Sequence, residues 1–338
     1  MTVSNATTTA TAYFVDAVQI MINKVLQEQL LPNLPYLMPG HYIKASFVKG
    51  SNASMRFLNI PNLAFGTNGN TVTPGTAPWL DEGVPPTPQA MTFGFEEFTA
   101  HQMGQTLRIT DVAAQEFPLD LLAEGAKVIA RQAAETIDLY VAGKLAAGAN
   151  VLWAGGGSAS RTDIGQTDSL TGSLVRRAVA SLEADSVPRF GDNSYHAIIN
   201  PAVVFDFEED SDVGGWLAVG QYSDPSRIAS GEIGQYAGAK FFQSPRATKF
   251  AAGGSGGADI YSTIVLGTGA YAFGDFGTQV ATYKPFGSAG TADPLDQLAV
   301  LGWKAFIGCM VVSEGDNAEN ESHVGPRYVR IETGASTL

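Results

Sequence analysis

The chain has 338 residues, of which 45% are hydrophobic and only 16% are charged, and its formal net charge is −13. This length allows two domains, or one elaborate domain with extensions, and the apolar content is sufficient for a sizeable core. Because lysine and arginine are sparse and form no run, the composition excludes a dense basic patch of the kind that grips nucleic acid. The low charge fits either ordinary variation or a subunit that buries much of its surface, since interface cores are depleted of charges.

The single cysteine, Cys309, lies in an apolar run, so we expect a buried thiol and no disulfide within one chain. No apolar stretch approaches the ~18–20 residues that a membrane-spanning helix needs. Residues 1–11 lack the positive charge of a secretory signal. We therefore expect a soluble protein that is made in the cytosol and has no membrane partner.

The first 98 residues are predicted to extend from the main body. Residues 12–31 have apolar side chains at spacings of three and four, which predicts an amphipathic helix that Pro32 and Pro35 end. Residues 50–98 are rich in proline and glycine, and so long an irregular stretch is uncommon unless it is functional or disordered. Two strand candidates lie at its base, at 54–60 and 91–96. The pattern favours a hairpin-like loop with an irregular tip, and a disordered linker is the alternative.

A long helix is predicted from about Leu119 to Ala147, with Asp120 at the positive end of its dipole. At ~1.5 Å per residue such a helix spans roughly 40 Å, the length of a structural beam. An ion pair is expected on its outer face between Arg131 and Glu135. The buried stripe is predicted to contain Leu122, Ala126, Ile129, Ala133, Ile137, Tyr140 and Val141.

Beyond a glycine-rich hinge at 155–158, the pattern becomes typical of an α/β domain. Helices are predicted at 169–185, after Asn200 and Pro201, and around Trp216. Strands are predicted at 195–199, 239–243, 260–266, 298–312 and 328–331. An acidic loop separates the last two strands and contains Glu314, Asp316, Glu319 and Glu321.

Two glycine motifs resemble catalytic or cofactor-binding sequences. The segment GGSGG at 253–257 formally matches a nucleophile elbow around Ser255, but that elbow needs a strand before it and a helix after it. A strand follows here, so we expect a surface loop. The segment GTG at 267–269 follows a strand as a dinucleotide fingerprint does, but the chain continues as strand and offers no helix N-terminus for a pyrophosphate.

Metal-ligating residues are scattered. The four histidines (His41, His101, His196 and His323) have no i,i+3 or i,i+4 partners among themselves, and with one cysteine they make no zinc pattern. The densest acidic cluster lies at 206–212, where the glycine and distal glutamate of a calcium-binding loop are missing. We expect a solvated helix end there, with a divalent cation at a subunit contact as the alternative. The sequence therefore predicts no catalytic, cofactor-binding or metal-binding residue.

The order of these elements resembles the major capsid proteins of tailed double-stranded DNA phages, which share the Hong Kong-97-like fold. The resemblance covers nearly the whole chain, and the order and spacing of its motifs carry it. The local matches are RITD at 108–111, YHAIINP at 195–201, GEIG at 231–234, FFQSP at 241–245 and GWK at 302–304.

The resemblance implies an α+β fold with an N-terminal arm, an extended β-hairpin called the E-loop, a peripheral domain with a long spine helix, and an axial α/β domain. The implied bounds are 1–48 for the arm, 49–98 for the E-loop, 99–165 with 286–338 for the peripheral domain, and 166–285 for the axial domain. In this family the E-loop lies over an adjacent subunit. The implied interface residues at its tip are Trp79, Leu80, Asp81 and Glu82.

The implied function is self-assembly, through hexamers and pentamers, into the icosahedral shell that encloses the phage genome without sequence-specific binding. The chain would be made in the host cytoplasm and end in the virion capsid, with a separate scaffold protein and a portal as partners. Some members cross-link an E-loop lysine to a neighbour, but no lysine occurs between Lys49 and Lys127, so we expect no such cross-link. The alternatives are an encapsulin-like nanocompartment shell and, more remotely, a serine hydrolase built on Ser255.

Overall fold

A computed structural model of the chain describes residues 34–47, 54–59, 83, 94–116, 120–185, 187–209, 232–275, 280–288, 293–312 and 326–336. Four predicted features lie outside these residues: the arm helix at 12–31, the loop tip at 79–82, the helical piece around Trp216 and the acidic loop at 314–321. Within the described residues, no helix is both long enough and apolar enough to cross a membrane.

The structure alternates strands with a few helices along the chain. The strands are β1 (Tyr42–Lys44), β2 (Ser46–Phe47), β3 (Ser54–Asn59), β4 (Gly94–Thr99), β5 (His101–Thr110), β6 (Val151–Trp153), β7 (Tyr195–Ile199), β8 (Glu232–Tyr236), β9 (Ala239–Gln243), β10 (Lys249–Phe250), β11 (Ile260–Leu266), β12 (Tyr271–Asp275), β13 (Val280–Lys284), β14 (Leu298–Val311) and β15 (Tyr328–Thr333). The helices are α1 (Asp111–Glu116), α2 (Leu121–Ala146), α3 (Gly172–Ala184) and α4 (Pro201–Glu209).

The chain divides into two compact units. The first contains residues 1–37, 100–141 and 274–308, and the second contains residues 38–99, 142–273 and 309–338. The domain boundaries that the resemblance implies remain a prediction.

Helix α2 is the predicted long helix. The Asp120 carboxylate caps it by accepting hydrogen bonds from the backbone N–H groups of Leu122 (3.0 Å) and Ala123 (3.3 Å). The outer ion pair forms as expected, with Arg131 Nε 2.9 Å from Glu135 Oε1. Most of the predicted stripe is buried, and its buried members are Ala126, Ile129, Ala133, Ile137 and Val141.

In the first unit, α2 packs on an antiparallel sheet in which β14 lies between β5 and β13. Trp303 of β14 donates a hydrogen bond from Nε1 to Gln132 Oε1 of the helix at 2.5 Å. Gly125 allows the close approach of helix and sheet, because a Cβ atom there would lie 3.0 Å from Leu301 and 3.1 Å from Leu107. The positions of β14 that face α2 are therefore its odd-numbered ones, and those from Ala299 to Ile307 are buried.

The second unit is built on a mixed sheet with the strand order β6-β15-β11-β7-β9-β8, and β10 also pairs with β11. Helices α3 and α4 pack their apolar sides against one face of this sheet. The core between them includes Val175, Val179, Leu182, Val203, Phe207, Phe241, Val265, Val329 and Ile331. The predicted strands at 195–199, 239–243 and 260–266 are confirmed to the residue as β7, β9 and β11.

Strands β3 and β4 form the base of the predicted hairpin. They pair antiparallel from Ser54 opposite Thr99 to Asn59 opposite Gly94, and β2 extends them to three strands. Of the predicted strand at 91–96, residues 94–96 belong to β4, and residues 91–93 lie outside the described residues. Six of the described strands in the two larger sheets were not predicted, and these are β1, β5, β6, β8, β10 and β13.

Candidate functional site

Ser255 does not lie in a nucleophile elbow. It begins a 3₁₀ turn, Ser255–Gly257, between β10 and β11, so a strand follows it and no helix starts there. Its backbone N–H donates to the Ile164 carbonyl at 2.8 Å. The predicted loop is confirmed, and this geometry lacks the strand-to-helix turn that exposes a catalytic serine. Residues 267–269 likewise connect strands β11 and β12, so no helix N-terminus is present to bind a phosphate.

Cys309 is a buried residue of β14, as predicted, with only 4% of its surface exposed. Burial raises the pKa of its thiol to about 12. Because the thiolate is the reactive form, a thiol with so high a pKa is inert at neutral pH.

We therefore expect Cys309 in the folded chain to react with a thiol-specific disulfide reagent at pH 8 at least a hundredfold more slowly than in the chain unfolded in urea. The absorbance of the released thiol measures both rates. Fast stoichiometric labelling of the folded chain would contradict the buried position of Cys309.

The fold brings together two histidines that sequence spacing could not connect. His41 is fully buried, and its Nε2 lies 2.8 Å from Nδ1 of His196. Asp192 lies beside this pair, with Oδ2 2.7 Å from Lys240 Nζ. Burial alone would raise the pKa of Asp192, but hydrogen bonds from Lys240 and Ser194 outweigh it and hold that pKa well below its usual range. Among the described residues, no group of three or more potential ligands could hold a metal ion.

Of the acidic cluster at 206–212, residues 210–212 lie outside the described residues, and Asp206 is not solvated, which corrects our expectation for that residue. Asp206 is buried, and its Oδ2 accepts a hydrogen bond from the backbone N–H of Ser336 at 2.8 Å. Glu208 is exposed. Asp206 therefore ties α4 to the segment after β15, and its role is structural.

A buried carboxylate holds the last strand in place. Glu332 is fully buried, and Arg161 donates to it through Nε (2.8 Å) and Nη2 (2.6 Å). Arg330 Nε lies 3.0 Å from the same carboxylate and is itself buried. The hydrogen bond to Glu332 raises the pKa of Arg161, whereas burial lowers the pKa of Arg330. Both guanidinium groups remain charged, because arginine is not deprotonated in proteins.

The outer side of α2 exposes apolar residues that the sequence analysis did not single out. Val128 is 61% exposed and Leu139 is 51% exposed. They lie about three helical turns apart, so they share one face at a separation of ~16 Å. Exposed apolar side chains this far apart form no continuous patch by themselves, so they identify a candidate contact surface only where copies of the chain assemble. Their position opposite the predicted buried stripe is the signal that could have identified them.

The sequence matches no known family model and no curated protein. Solved structures do match. The capsid of Ralstonia phage GP4 is 13% identical, with 85% of each chain covered and a TM-score of 0.62. The capsid of cyanophage Pam1 is 14% identical, with 86% of this chain and 87% of that chain covered and a TM-score of 0.60. The head structure of Helicobacter pylori bacteriophage KHP40 is 10% identical, with 86% of each chain covered and a TM-score of 0.58.

These matches confirm the predicted α+β, Hong Kong-97-like fold. They extend over nearly the full length of both chains, so the likeness is not limited to one motif or one unit. The interface residues predicted at the loop tip (Trp79, Leu80, Asp81 and Glu82) lie outside the described residues and stay a prediction.

Proposed function

We propose that this chain is the major capsid protein of a tailed phage and self-assembles into the icosahedral shell that encloses a double-stranded DNA genome. The observation that carries the proposal is the shared fold, which covers at least 85% of both chains in three phage capsid structures. Copies of the chain itself, arranged in hexamers and pentamers, are its principal partners. A separate scaffold protein and a portal assist assembly, and the finished protein resides in the virion.

The described residues support a structural rather than an enzymatic role. The glycine motifs have the geometry of loops, the thiol is buried and the acid cluster contains a buried structural aspartate. The exposed apolar face of α2 and the hairpin of β3 and β4 provide contact surfaces. In a shell, many modest contacts of this kind add up to a stable particle.

The contents of purified particles test the genome part of the proposal. Particles from phage-infected cells should show the high absorbance ratio of 260 to 280 nm that nucleic acid gives, and their DNA should resist added nuclease. Particles of ordinary protein absorbance that co-purify with a cargo enzyme would contradict it and favour the nanocompartment.

We expect the double variant V128D/L139D to lower particle yield at least tenfold, because two charges would enter contacts now suited to apolar groups. Both side chains are exposed, so the circular dichroism and melting temperature of the unassembled chain should stay unchanged. Arg131→Ala alters a side chain that is 77% exposed on the same helix and is the matched control, with near-normal yield expected. Normal assembly of V128D/L139D would show that this face contacts no other copy.

A further inference from the structure

The sheet of the first unit has a second face, directed away from α2, that carries three cations. Arg108 and Lys284 lie on either side of Val300 in one row of the sheet, and Lys304 lies on β14 itself. All three cations are exposed, and Val300 is half-buried between them. We call the surface formed by Arg108, Lys284, Lys304 and Val300 the basic face.

The cations of the basic face are spaced widely enough to bind an extended partner. Arg108 and Lys284 lie on the strands on either side of β14, so two strand spacings, about 10 Å, separate them. Lys304 lies four positions after Val300 on β14, about 13 Å from it. Within the described residues, none of the three forms an ion pair. Strands β5, β13 and β14 contain no acidic residue. Of the acids that flank them, Asp111 accepts a hydrogen bond from the Val112 N–H, Asp293 accepts one from the Leu298 N–H, and Asp296 lies beside Gly287.

Charge balance indicates what covers this face. Two copies that each carry −13 repel one another, and a contact that matches an acidic segment with exposed cations reduces this repulsion. Residues 314–321 contain four acids and no basic residue. The half-buried Val300 among the cations suits a peptide, which brings apolar groups as well as carboxylates, better than it suits a phosphate backbone.

We propose that the basic face receives the acidic segment 314–321 of a second copy of this chain. The proposal rests on the proposed function, because it names a contact within the shell.

Zero-length cross-linking tests this contact without altering the protein. Particles assembled from equal amounts of ¹⁴N-labelled and ¹⁵N-labelled chain are treated with a carbodiimide, which joins an amine directly to a carboxylate. Mass spectrometry should find Lys284 or Lys304 joined to 314–321, with mixed isotope labels in about half of these pairs. Cross-links only within one label, or only to another acidic segment such as Asp81 and Glu82, would overturn the proposal.

A charge swap gives the second test. The triple variant R108E/K284E/K304E should lower particle yield at least tenfold, and adding E314K/D316K/E319K/E321K to the same chain should restore the yield to within threefold of the wild type. The comparison is the double variant R176E/R177E, which reverses two exposed charges of α3. The substitutions E314K/D316K/E319K/E321K should not restore any loss of particle yield that this variant causes.

The possible failures are distinguishable. If the wild-type chain forms no particles with or without its scaffold, the proposed function itself fails. If the wild type and R108E/K284E/K304E assemble equally, only the basic-face contact is wrong. If the triple variant fails to assemble and is not rescued, the proposal is overturned, and a loss of binding to a short DNA duplex would then indicate that the face contacts nucleic acid.

Discussion

Replacing Glu332 by glutamine is expected to lower the free energy of unfolding by about 3 kcal/mol, because the change removes the charge that compensates a buried guanidinium group. Arg330 is 6% exposed and would be left as an unpaired cation inside the second unit. The Arg161 side chain is one-third exposed (33%), so water partly replaces its lost partner and its contribution is smaller. Urea unfolding of the unassembled chain, followed by circular dichroism, measures the change.

The exposed pair on α2 provides the matched control for this substitution. Glu135→Gln removes the same charge from the same type of partner, but Arg131 is 77% exposed, so the expected loss is below about 0.5 kcal/mol. The double variant R330M/E332L should recover part of the stability that E332Q loses, since apolar side chains of similar volume often replace a buried ion pair without cost. Equal effects of E332Q and E135Q would contradict the buried position of Glu332.

Placing aspartate at Trp79 or Leu80 is expected to reduce particle yield at least tenfold while the unassembled chain stays folded. Aromatic and large apolar side chains often supply most of the energy of a contact, and a tenfold loss requires only ~1.4 kcal/mol per contact. Because a shell needs every copy to make its contacts, such a loss is repeated throughout the particle. Sedimentation of cell extracts and electron microscopy count the particles.

Two control variants distinguish the loss of an intersubunit contact from a defect in folding. Trp79→Phe keeps an aromatic ring and should assemble within threefold of the wild type, whereas Thr71→Asp adds the same charge elsewhere in the predicted loop and should have little effect. Particles of W79D and L80D at normal yield would show that the loop tip does not lie in an interface.

The helix and the buried strands could be predicted because their periodicity arises from local burial. Helix α2 repeats apolar residues at helical spacing over its whole length, and β11 is a short, mainly apolar segment between two glycine-rich loops. Strand β5 escaped prediction because only one of its ten residues, Ile109, is buried. Its pairing with β14 is what makes it a strand, and this pairing joins residues almost two hundred positions apart.

The contacts and surfaces that join distant parts of the chain were harder to predict, because they form only when the chain is folded. The contact of Asp206 with Ser336 and the bond between His41 and His196 each join distant parts of the chain, so local spacing suggested only a solvated acid cluster and scattered histidines. The basic face likewise collects Arg108, Lys284 and Lys304 from three strands. The loop geometry of the two glycine motifs was easier to predict, because an elbow or a dinucleotide site requires a local strand-to-helix turn that the neighbouring sequence does not provide.

The most direct test of the shell assignment is size exclusion of the purified chain, alone and with its scaffold protein, combined with light scattering and small-angle X-ray scattering. A shell subunit should form hollow particles of megadalton mass. If the chain remains a stable 35.5 kDa monomer with the radius of gyration of about 20 Å that a compact globule of this length has, the assignment is wrong.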